Sequence, residues 1–263
     1  SLYSSPIAKE QDLSGLTIGT AGAPPAPHVI RTIEGMGARL LHLYGLTETY
    51  GPHTICAEQP GWDLLSTDEL AVAKARQGVS LIMTEPGLRV VDEQMRDVPR
   101  DGETMGEVIM RGNNVMSGYF KEPEMTAKAF QGGWFHSGDL AVWHPDGYIE
   151  LRDRSKDVII SGGENVSSQE VEKVVMEHPA VLEVCVVGVP DEKWGEVPKA
   201  FVTPSPGAQV TGEEIIQFCR DRIAHFKCPK YIEFGELPKT ATGKIQKFLL
   251  REKEWTGYDK RIN

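Results

Sequence analysis

Hydrophobic and polar positions near the start of the chain follow a helix period once and a strand period twice. The predicted elements are a strand at residues 16–18, a helix at 29–36 and a strand at 39–44. Glycine-rich or polar loops follow the two strands, at residues 19–27 and 45–49. Because ligands collect beyond the carboxyl ends of strands in α/β sheets, we expect these two loops to share one crevice.

From residue 88 onward the pattern changes to short strands separated by turn signals. The predicted strands are residues 88–91, 106–112, 141–143 and 148–151. The last two flank HPDG at residues 144–147, where proline presets φ and glycine supplies a positive φ, so a β-hairpin is predicted. Before it lies GGWFHSGDL at residues 132–140, which predicts a loop that packs closely on a flat ligand.

A highly charged stretch, RDRSKD at residues 152–157, separates this β-rich region from the rest. Unpaired buried charges cost several kcal/mol, so the stretch is predicted to be an exposed or tightly paired connector. A β-branched run at residues 158–160 follows and leads to Gly162 and Gly163. That pattern indicates a strand that enters a loop with a closely approaching backbone.

Beyond the connector, helix and strand periods alternate again and predict a compact α+β unit. Ser168 is predicted to cap a helix that buries Val171, Val174 and Val175. Thr211 and Glu214 form a capping-box signature before a second helix. The remaining elements are a strand at residues 181–189 with Cys185 inward, apolar helix positions at Ile215, Cys219, Ile223 and Phe226, and a strand at 231–234.

Composition and charge exclude several classes of protein. The chain has 263 residues, 40% hydrophobic and 25% charged, which is an ordinary globular composition and favours two domains. Its net charge of −10 argues against general binding to nucleic acid or to an anionic membrane. No apolar run is long enough to cross a bilayer, and we expect a cytoplasmic location. The four cysteines are widely spaced, which favours buried free thiols.

Each candidate for chemistry is weak when taken alone. The segment PKTATGKIQK at residues 238–247 carries Lys244 beside a glycine, and such a lysine suits a phosphate or a carboxylate. The alternative is a solvated surface loop, and the spacing is not that of a Walker A motif. Glu48 is also typical of an acid at a helix start, Asp139 of a turn residue, and Gly162 with Gly163 of a simple turn.

Taken in order, the segments resemble the motif series of the adenylate-forming (AMP-binding) ligase superfamily. The motifs are YGLTE at residues 44–48, GEVIMRG at 106–112, WFHSGDL at 134–140, DRSKD at 153–157 with its glycine pair, and 238–247. The resemblance extends from about residue 17 to about residue 254. The segments SGGENVSS and ELPKTATGK are most similar to short- and medium-chain acyl-CoA ligases, such as the methylmercaptopropionate-CoA ligases.

This resemblance implies activation of a small carboxylic acid with ATP to acyl-AMP, with release of pyrophosphate, followed by transfer to coenzyme A. It implies that Lys244 bridges the acyl carboxylate and the α-phosphate. It implies that Glu48 holds Mg²⁺ and that Thr47 contacts phosphate. These three residues are the implied catalytic group, with Glu48 as the metal ligand.

The resemblance also implies the nucleotide-binding and hinge residues. Tyr44, beside Gly45, is implied to stack on adenine, with Gly22, Ala23 and Pro24 approaching the opposite side. Asp139 and Arg154 are implied to bind the ribose of ATP or AMP. Lys156 falls at the implied hinge, and the Gly162 and Gly163 pair at the implied passage for the pantetheine arm of coenzyme A.

The implied fold class is α/β. Residues 1–154 are expected to be the C-terminal part of a large domain, with an α/β part and a distorted β-barrel, and residues 155–263 a small mobile α+β domain across a hinge. A Ser-, Thr- and Gly-rich phosphate loop is not found before Tyr44. We therefore expect a fragment of a longer enzyme that is inactive alone. The alternatives are an enzyme that loads a carrier protein and a non-catalytic binding remnant.

Overall fold

The computed structural model describes residues 11–241 and 243–258. The chain divides into two compact units, Ser1–Leu151 and Arg152–Asn263, hereafter unit 1 and unit 2. The division falls three residues before the domain boundary predicted between residues 154 and 155. A hinge at Lys156 stays a prediction. Each unit is described by itself below.

Unit 1 begins with a four-stranded sheet in the order β1-β2-β3-β4. Its elements are β1 (Thr17–Thr20), α1 (Pro27–Gly35), β2 (Arg39–Leu46), β3 (Gly51–Ile55), α2 (Thr67–Lys74) and β4 (Val79–Ser80). Strands β1 and β2 are parallel, whereas β2, β3 and β4 pair antiparallel. Helices α1 and α2 share one core with β2, formed by Ile30, Ile33, Ala38, Leu40 and Ala71. The predicted strand, loop, helix and strand of this region are therefore present.

A second four-stranded sheet completes unit 1, in the order β5-β6-β7-β8. Its elements are β5 (Leu88–Val91), β6 (Met105–Met110), α3 (Pro123–Ala129), β7 (Phe135–Trp143) and β8 (Ile149–Arg154), whose last residues enter unit 2. The predicted hairpin joins β7 to β8, with Gly147 at a φ of +87°. In the described residues this sheet is open, so the expected barrel is not closed.

Unit 2 is built around one mixed sheet with three helices. Its elements are β9 (Ile159–Ser161), β10 (Glu164–Val166), α4 (Ser168–Met176), β11 (Val181–Asp191), β12 (Gly195–Pro204), α5 (Gly212–Arg220), β13 (Tyr231–Phe234) and α6 (Lys247–Trp255). The strand order is β10-β9-β12-β11, with β13 parallel to β12. Val171, Val175 and Ile215 from α4 and α5 are fully buried against this sheet. The α+β prediction for this part of the chain agrees with these elements.

Several local predictions were wrong, each for a physical reason. Residues 45 and 46 continue β2 because they pair with β3. Asp139 lies inside β7, since residues on both sides of it pair with β6 although Gly138 directly precedes it. The cap of α4 is Ser167, whose hydroxyl accepts from the Glu170 amide. Helix α5 ends at Arg220, so Ile223 and Phe226 lie beyond it.

The charged connector also differs from its prediction. Residues 152–154 belong to β8, and Asp153 is only 1% exposed. The carboxylate tolerates burial because Ser168 donates both its backbone and its hydroxyl hydrogen to it. Of the two options predicted for this stretch, tight pairing therefore holds at Asp153.

All four cysteines are buried and free, as predicted. Burial raises the pKa of the thiols of Cys56, Cys185 and Cys219 to about 12. Among the described residues, no helix has the length and apolar character needed to cross a membrane.

Candidate functional site

The parallel pairing of β1 and β2 sets the first part of the candidate site. Thr20 at the end of β1 lies beside His42 in β2, so the loop with Gly22, Ala23 and Pro24 starts at the same sheet edge that Tyr44 approaches. Gly22 has a φ of +85°, a conformation that a glycine adopts without strain. The three loop residues are exposed. The sheet thus places the two predicted loops at one edge.

Tyr44 and Asp139 are joined directly by a hydrogen bond. The Tyr44 hydroxyl donates to Oδ2 of Asp139 at 2.7 Å, across 95 positions of sequence. Tyr44 is 8% exposed and Asp139 is 5% exposed. The bond fixes the phenol relative to the carboxylate, so the residue implied to stack on adenine and one implied to bind ribose have a defined mutual position.

An irregularity between β6 and β7 supports Asp139. The register shifts between Glu107 and Ile109, and Gly138 has a φ of +71°. The Glu107 carboxylate accepts from the Gly138 amide at 2.9 Å and pairs with His136 Nδ1 at 2.7 Å. Such bulges redirect side chains out of the regular alternation of a strand. The carboxylate of Glu107 therefore stabilises the backbone just before Asp139.

Residues 47–49 form a 3₁₀ turn between β2 and β3. The buried Thr49 hydroxyl accepts from the Leu46 amide at 2.9 Å and lies 2.8 Å from the Gly51 carbonyl, so it closes the turn. Gly45 is required here, because a Cβ at that position would lie 2.0 Å from the Gly51 carbonyl oxygen. Thr47 is exposed on this turn.

Glu48, on the same turn, is held by a tyrosine that the sequence patterns did not identify. The Tyr119 hydroxyl donates to Oε1 of Glu48 at 3.1 Å, and the Met116 amide donates to the Glu48 carbonyl at 2.7 Å. Burial, with Glu48 beside it, raises the pKa of Tyr119. The only advance signal was the position of Tyr119 shortly after the GEVIMRG segment.

A single carboxylate is compatible with Mg²⁺, which usually takes one or two carboxylates plus phosphate oxygens and waters. Within residues 11–241 and 243–258, no group of three His, Cys, Asp or Glu side chains could hold a metal ion alone. The donor set therefore fits a cation that arrives with a phosphorylated substrate. It does not fit a closed structural metal site.

In unit 2, Lys244 lies at a tight turn. Lys239 and Ile245 form an antiparallel bridge, and the Thr240 amide donates to the Lys244 carbonyl at 2.8 Å. The Lys244 amide in turn donates to the Thr240 hydroxyl at 3.1 Å. Lys244 is exposed, whereas Thr242 in the same segment lies outside the described residues. The turn holds the backbone and leaves the Lys244 ammonium facing solvent.

Arg154 and Lys156 belong to a second tight turn, in which the amides of Asp157 and Val158 both donate to the Arg154 carbonyl. Arg251 of α6 donates to the Lys156 carbonyl and to the Asp157 carboxylate, the latter at 2.7 Å. The sequence patterns did not identify Arg251, because an arginine on a helix predicts only an exposed charge. Arg251 thus ties the C-terminal half of this turn, Lys156 and Asp157, to α6.

Gly162 and Gly163 form the turn between β9 and β10, with φ values of +61° and +89°. A Cβ on Gly162 would lie 2.6 Å from the Trp194 ring, whereas a Cβ on Gly163 would meet nothing within 4 Å. The Gly162 amide also donates to the Trp194 carbonyl at 2.8 Å. Gly162, which was a weak signal in the sequence, is therefore packed against Trp194.

The candidate residues thus fall into two sets. Unit 1 contains the loop at residues 22–24, Tyr44 with Gly45, Thr47, Glu48 and Asp139; unit 2 contains Arg154, Lys156, Gly162, Gly163 and Lys244. Comparison with solved structures gives the class of protein that this arrangement represents.

Two similar structures are enzymes with acyl-adenylates bound. The anthranilate CoA ligase AuaEII in complex with anthranoyl-AMP is 30% identical with a TM-score of 0.80, over 96% of this chain and 47% of that one. The o-succinylbenzoate CoA synthetase MenE from Bacillus subtilis, in complex with OSB-AMP, is 29% identical with a TM-score of 0.79, over 93% and 48%. The fold is that of the adenylate-forming enzymes.

Sequence comparison agrees with the structural match. The AMP-binding enzyme model matches residues 2–120, and the model of the AMP-binding enzyme C-terminal domain matches residues 170–244. The chain belongs to the AMP-binding enzyme family.

The curated relatives are named CoA ligases. The 4-hydroxybutyrate--CoA ligase 2 of Metallosphaera sedula is 55% identical over 88% of this chain. The acetate--CoA ligase CCL3 of Humulus lupulus is 58% identical over 89% of it. The chain spans 42% of the length of each of these relatives.

Proposed function

We propose that the full-length protein is an AMP-forming acyl-CoA ligase. It activates a carboxylic acid with ATP to acyl-AMP and pyrophosphate, and then transfers the acyl group to the thiol of coenzyme A. The observation that carries the proposal is the hydrogen bond between Tyr44 and Asp139, because it joins two motif residues with the chemistry needed for adenine and ribose. Relatives more than half identical in sequence and named CoA ligases support CoA as the acceptor.

In the first step, unit 1 binds the nucleotide. The Tyr44 ring offers a flat face to adenine, with Gly22, Ala23 and Pro24 on the other side, where small residues allow close approach. Asp139 accepts hydrogen bonds from the ribose hydroxyls. Glu48 would hold Mg²⁺ and Thr47 would contact a phosphate oxygen, and the cation would neutralise part of the phosphate charge.

Unit 2 supplies the remaining groups of the first step. Attack of a carboxylate on the α-phosphorus brings two anions together, so a cation placed between them stabilises the transition state. Lys244 is suited to this role because it is exposed on a turn whose backbone hydrogen bonds fix its position. Arg154 contributes to ribose binding.

In the second step, rotation of the backbone at Lys156 brings a different face of unit 2 to the active site. The Gly162 and Gly163 turn then lines the passage for the pantetheine arm. Its lack of side chains suits a narrow channel, and the Trp194 ring packed against Gly162 gives that channel an apolar wall.

We propose a short carboxylic acid as the substrate. The curated relatives include proteins named for acetate, butyrate, 4-hydroxybutyrate and 2-methylpropanoate, at 50% identity or more. A cytoplasmic location stays a prediction, since relatives from Arabidopsis thaliana and Petunia hybrida are named peroxisomal.

The test is an assay of the full-length protein with ATP, Mg²⁺ and each of these acids. ATP–pyrophosphate exchange measures the first step, and mass spectrometry of the CoA thioester measures the second. We expect both activities with at least one of the acids. Exchange without a CoA thioester would contradict CoA as the acceptor, and absence of exchange with every acid would contradict the proposed substrate class.

A further inference from the structure

A set of hydrogen bonds ties the segment before Lys156 to helix α4. The Ser167 hydroxyl donates to the Arg152 carbonyl. The Ser168 amide donates to Oδ2 of Asp153, and the Ser168 hydroxyl donates to Oδ1 at 3.1 Å. These bonds account for the burial of the Asp153 carboxylate at the start of unit 2.

Lys247, the first residue of α6, extends the same set. Its ammonium donates to the Ser168 hydroxyl at 2.6 Å and pairs with the Glu172 carboxylate at 2.9 Å. The Lys247 side chain is only 19% exposed and that of Glu172 22%. Burial lowers the pKa of Lys247, but the charges of Glu172 and Asp153 outweigh it and raise the pKa overall. We call Asp153, Ser168, Glu172 and Lys247 the latch set.

The latch set lies across the predicted hinge. Arg152 and Asp153 precede Lys156 in the chain, whereas Ser167, Ser168 and Lys247 follow it. A large backbone rotation at Lys156 carries the two sides apart, so the bonds from Ser167 and Ser168 must break in one of the two orientations. The contact of Arg251 with the Lys156 carbonyl lies on the following side and is not under this constraint.

The environment of Asp153 allows the latch set to open, that is, Asp153 to separate from Ser168. Burial raises the pKa of Asp153, which means that desolvation opposes its charged form. Opening would lose the hydrogen bonds from Ser168 but return the carboxylate to water, so hydration of Asp153 offsets part of the free energy that opening costs. Lys247 keeps its partner Glu172 in either case, so opening does not leave a buried ammonium unpaired.

We propose that Asp153 and Ser168 are positioning residues that hold the segment of Arg154 and the segment of Lys244 together for adenylate formation. This inference rests on the proposed function. Arg154 follows Asp153 directly, and Lys244 lies three residues before Lys247. The latch therefore anchors, through one set of bonds, the two unit 2 residues assigned to the first step. When it opens, the Lys244 segment separates from Arg154, as the second step requires.

The test compares Asp153→Asn and Ser168→Ala with Glu170→Gln in the full-length protein. Glu170 is a carboxylate in the first turn of α4, but its side chain pairs with Lys227 and not with the latch set. Two half-reactions are measured: ATP–pyrophosphate exchange, and CoA thioester formation from synthetic acyl-AMP. We expect the rate of ATP–pyrophosphate exchange to fall about tenfold in both latch variants. This fall corresponds to the free energy of one lost charge-assisted hydrogen bond. Thioester formation from acyl-AMP is expected to stay equal or rise.

Hydrogen–deuterium exchange of a peptide that covers residues 166–176 gives a readout independent of activity. We expect faster exchange of the Ser168 amide in Asp153→Asn and no change in Glu170→Gln. Equal loss of both half-reactions in the latch variants, or unchanged amide exchange in Asp153→Asn, would overturn the latch. Absence of both half-reactions in the wild-type protein would instead contradict the proposed function, while the amide exchange still decides the latch.

Discussion

At the scale of single residues, Asp139 shows how a nearly buried carboxylate is given a fixed direction. Its Oδ2 accepts a hydrogen bond from the Tyr44 hydroxyl at 2.7 Å, which fixes the carboxylate relative to the phenol ring. The backbone at Gly138 is held by Glu107, which fixes the direction of the neighbouring Asp139. The Tyr44 hydroxyl and the backbone held by Glu107 thus set the direction of the Asp139 carboxylate.

We expect Tyr44→Phe to weaken ATP binding while leaving the turnover rate nearly unchanged. The ring that stacks on adenine is retained, but the hydroxyl that orients Asp139 is lost, which costs about 0.5–1.5 kcal/mol. The expected result is a rise in KM for ATP of about 2- to 12-fold, the same free energy expressed as a ratio. Steady-state kinetics of the full-length protein measure it. A large fall in kcat with an unchanged KM for ATP would contradict this role.

Lys244→Ala should abolish adenylate formation and leave thioester formation from preformed acyl-AMP largely intact. The reason is that the ammonium is required where two anions meet, which occurs only in the first step. Both half-reactions are measured separately in the full-length protein.

Lys253→Ala is the matched control for Lys244→Ala. This lysine is also in unit 2, with a side chain 60% exposed and paired with Glu233. Exposed ion pairs contribute at most about 1 kcal/mol, so both half-reactions should remain. Equal loss of the two half-reactions in Lys244→Ala would refute the assignment.

At the scale of elements, the turn between β9 and β10 places different demands on its two glycines. Gly162→Ala should destabilise the protein more than Gly163→Ala. Both need positive φ, which costs an alanine about 1–2 kcal/mol, but only at position 162 does the new methyl group collide with the Trp194 ring. Thermal unfolding of the two variants checks the order. Equal losses of stability would show that Trp194 moves without cost.

A turn in unit 1 that is closed by Asp101 contributes to the dependence of folding stability on acid pH. Asp101 accepts from the amides of Glu103 and Thr104 and from the Thr104 hydroxyl, and the hydroxyl bond leads the effects that lower its pKa from 3.8 to about 2. A lowered pKa in the folded state means that this stabilisation is present above the unfolded value and is lost as the pH falls from about 4 towards about 2.

Asp101→Asn should therefore show a smaller loss of stability between pH 6 and pH 3 than the wild type. Urea unfolding at several pH values measures the free energy of unfolding of both proteins. Parallel pH profiles for the two would contradict the contribution of Asp101.

Elements with a clear hydrophobic period and clear cap or turn residues could be predicted from sequence. Strands that are defined by pairing with another strand could not. The capping box of Thr211 and Glu214 and the hairpin at residues 144–147 depend on local chemistry, and both are present. Strand β7 contains two residues typical of turns, Gly138 and Asp139, and is a strand because β6 pairs with it. Strand β12 was not predicted at all, although it is central in its sheet.

The same distinction applies to the candidate site. Tyr44, Glu48, Asp139 and Lys244 could be named as candidates because ordered motifs mark them. Tyr119, Arg251 and Lys247 were missed because each acts through a partner distant in sequence: Tyr119 through Glu48, Arg251 through Asp157, and Lys247 through Glu172. Contacts of this kind leave no periodic signal in a single sequence.

At the scale of the whole molecule, the two units have separate cores. We expect unit 2 to fold on its own, and its stability to depend on where the fragment begins. A fragment that starts at residue 150 keeps Asp153, whereas one that starts at residue 155 loses the acceptor for Ser168. The shorter fragment should be less stable by about 1–3 kcal/mol. Urea unfolding of the two fragments checks this, and equal stability would show that Asp153 contributes nothing to unit 2.

If the full-length protein forms acyl-adenylates, as proposed, the burial of the cysteines has a chemical consequence. A mixed anhydride acylates any accessible thiolate, including one from the catalyst itself. Three thiols with a pKa of about 12 hold a negligible thiolate fraction near neutral pH, and the fourth, Cys228, is also buried with a raised pKa. In the proposed reaction these four thiols would therefore be protected from self-acylation and would not compete with the thiol of coenzyme A.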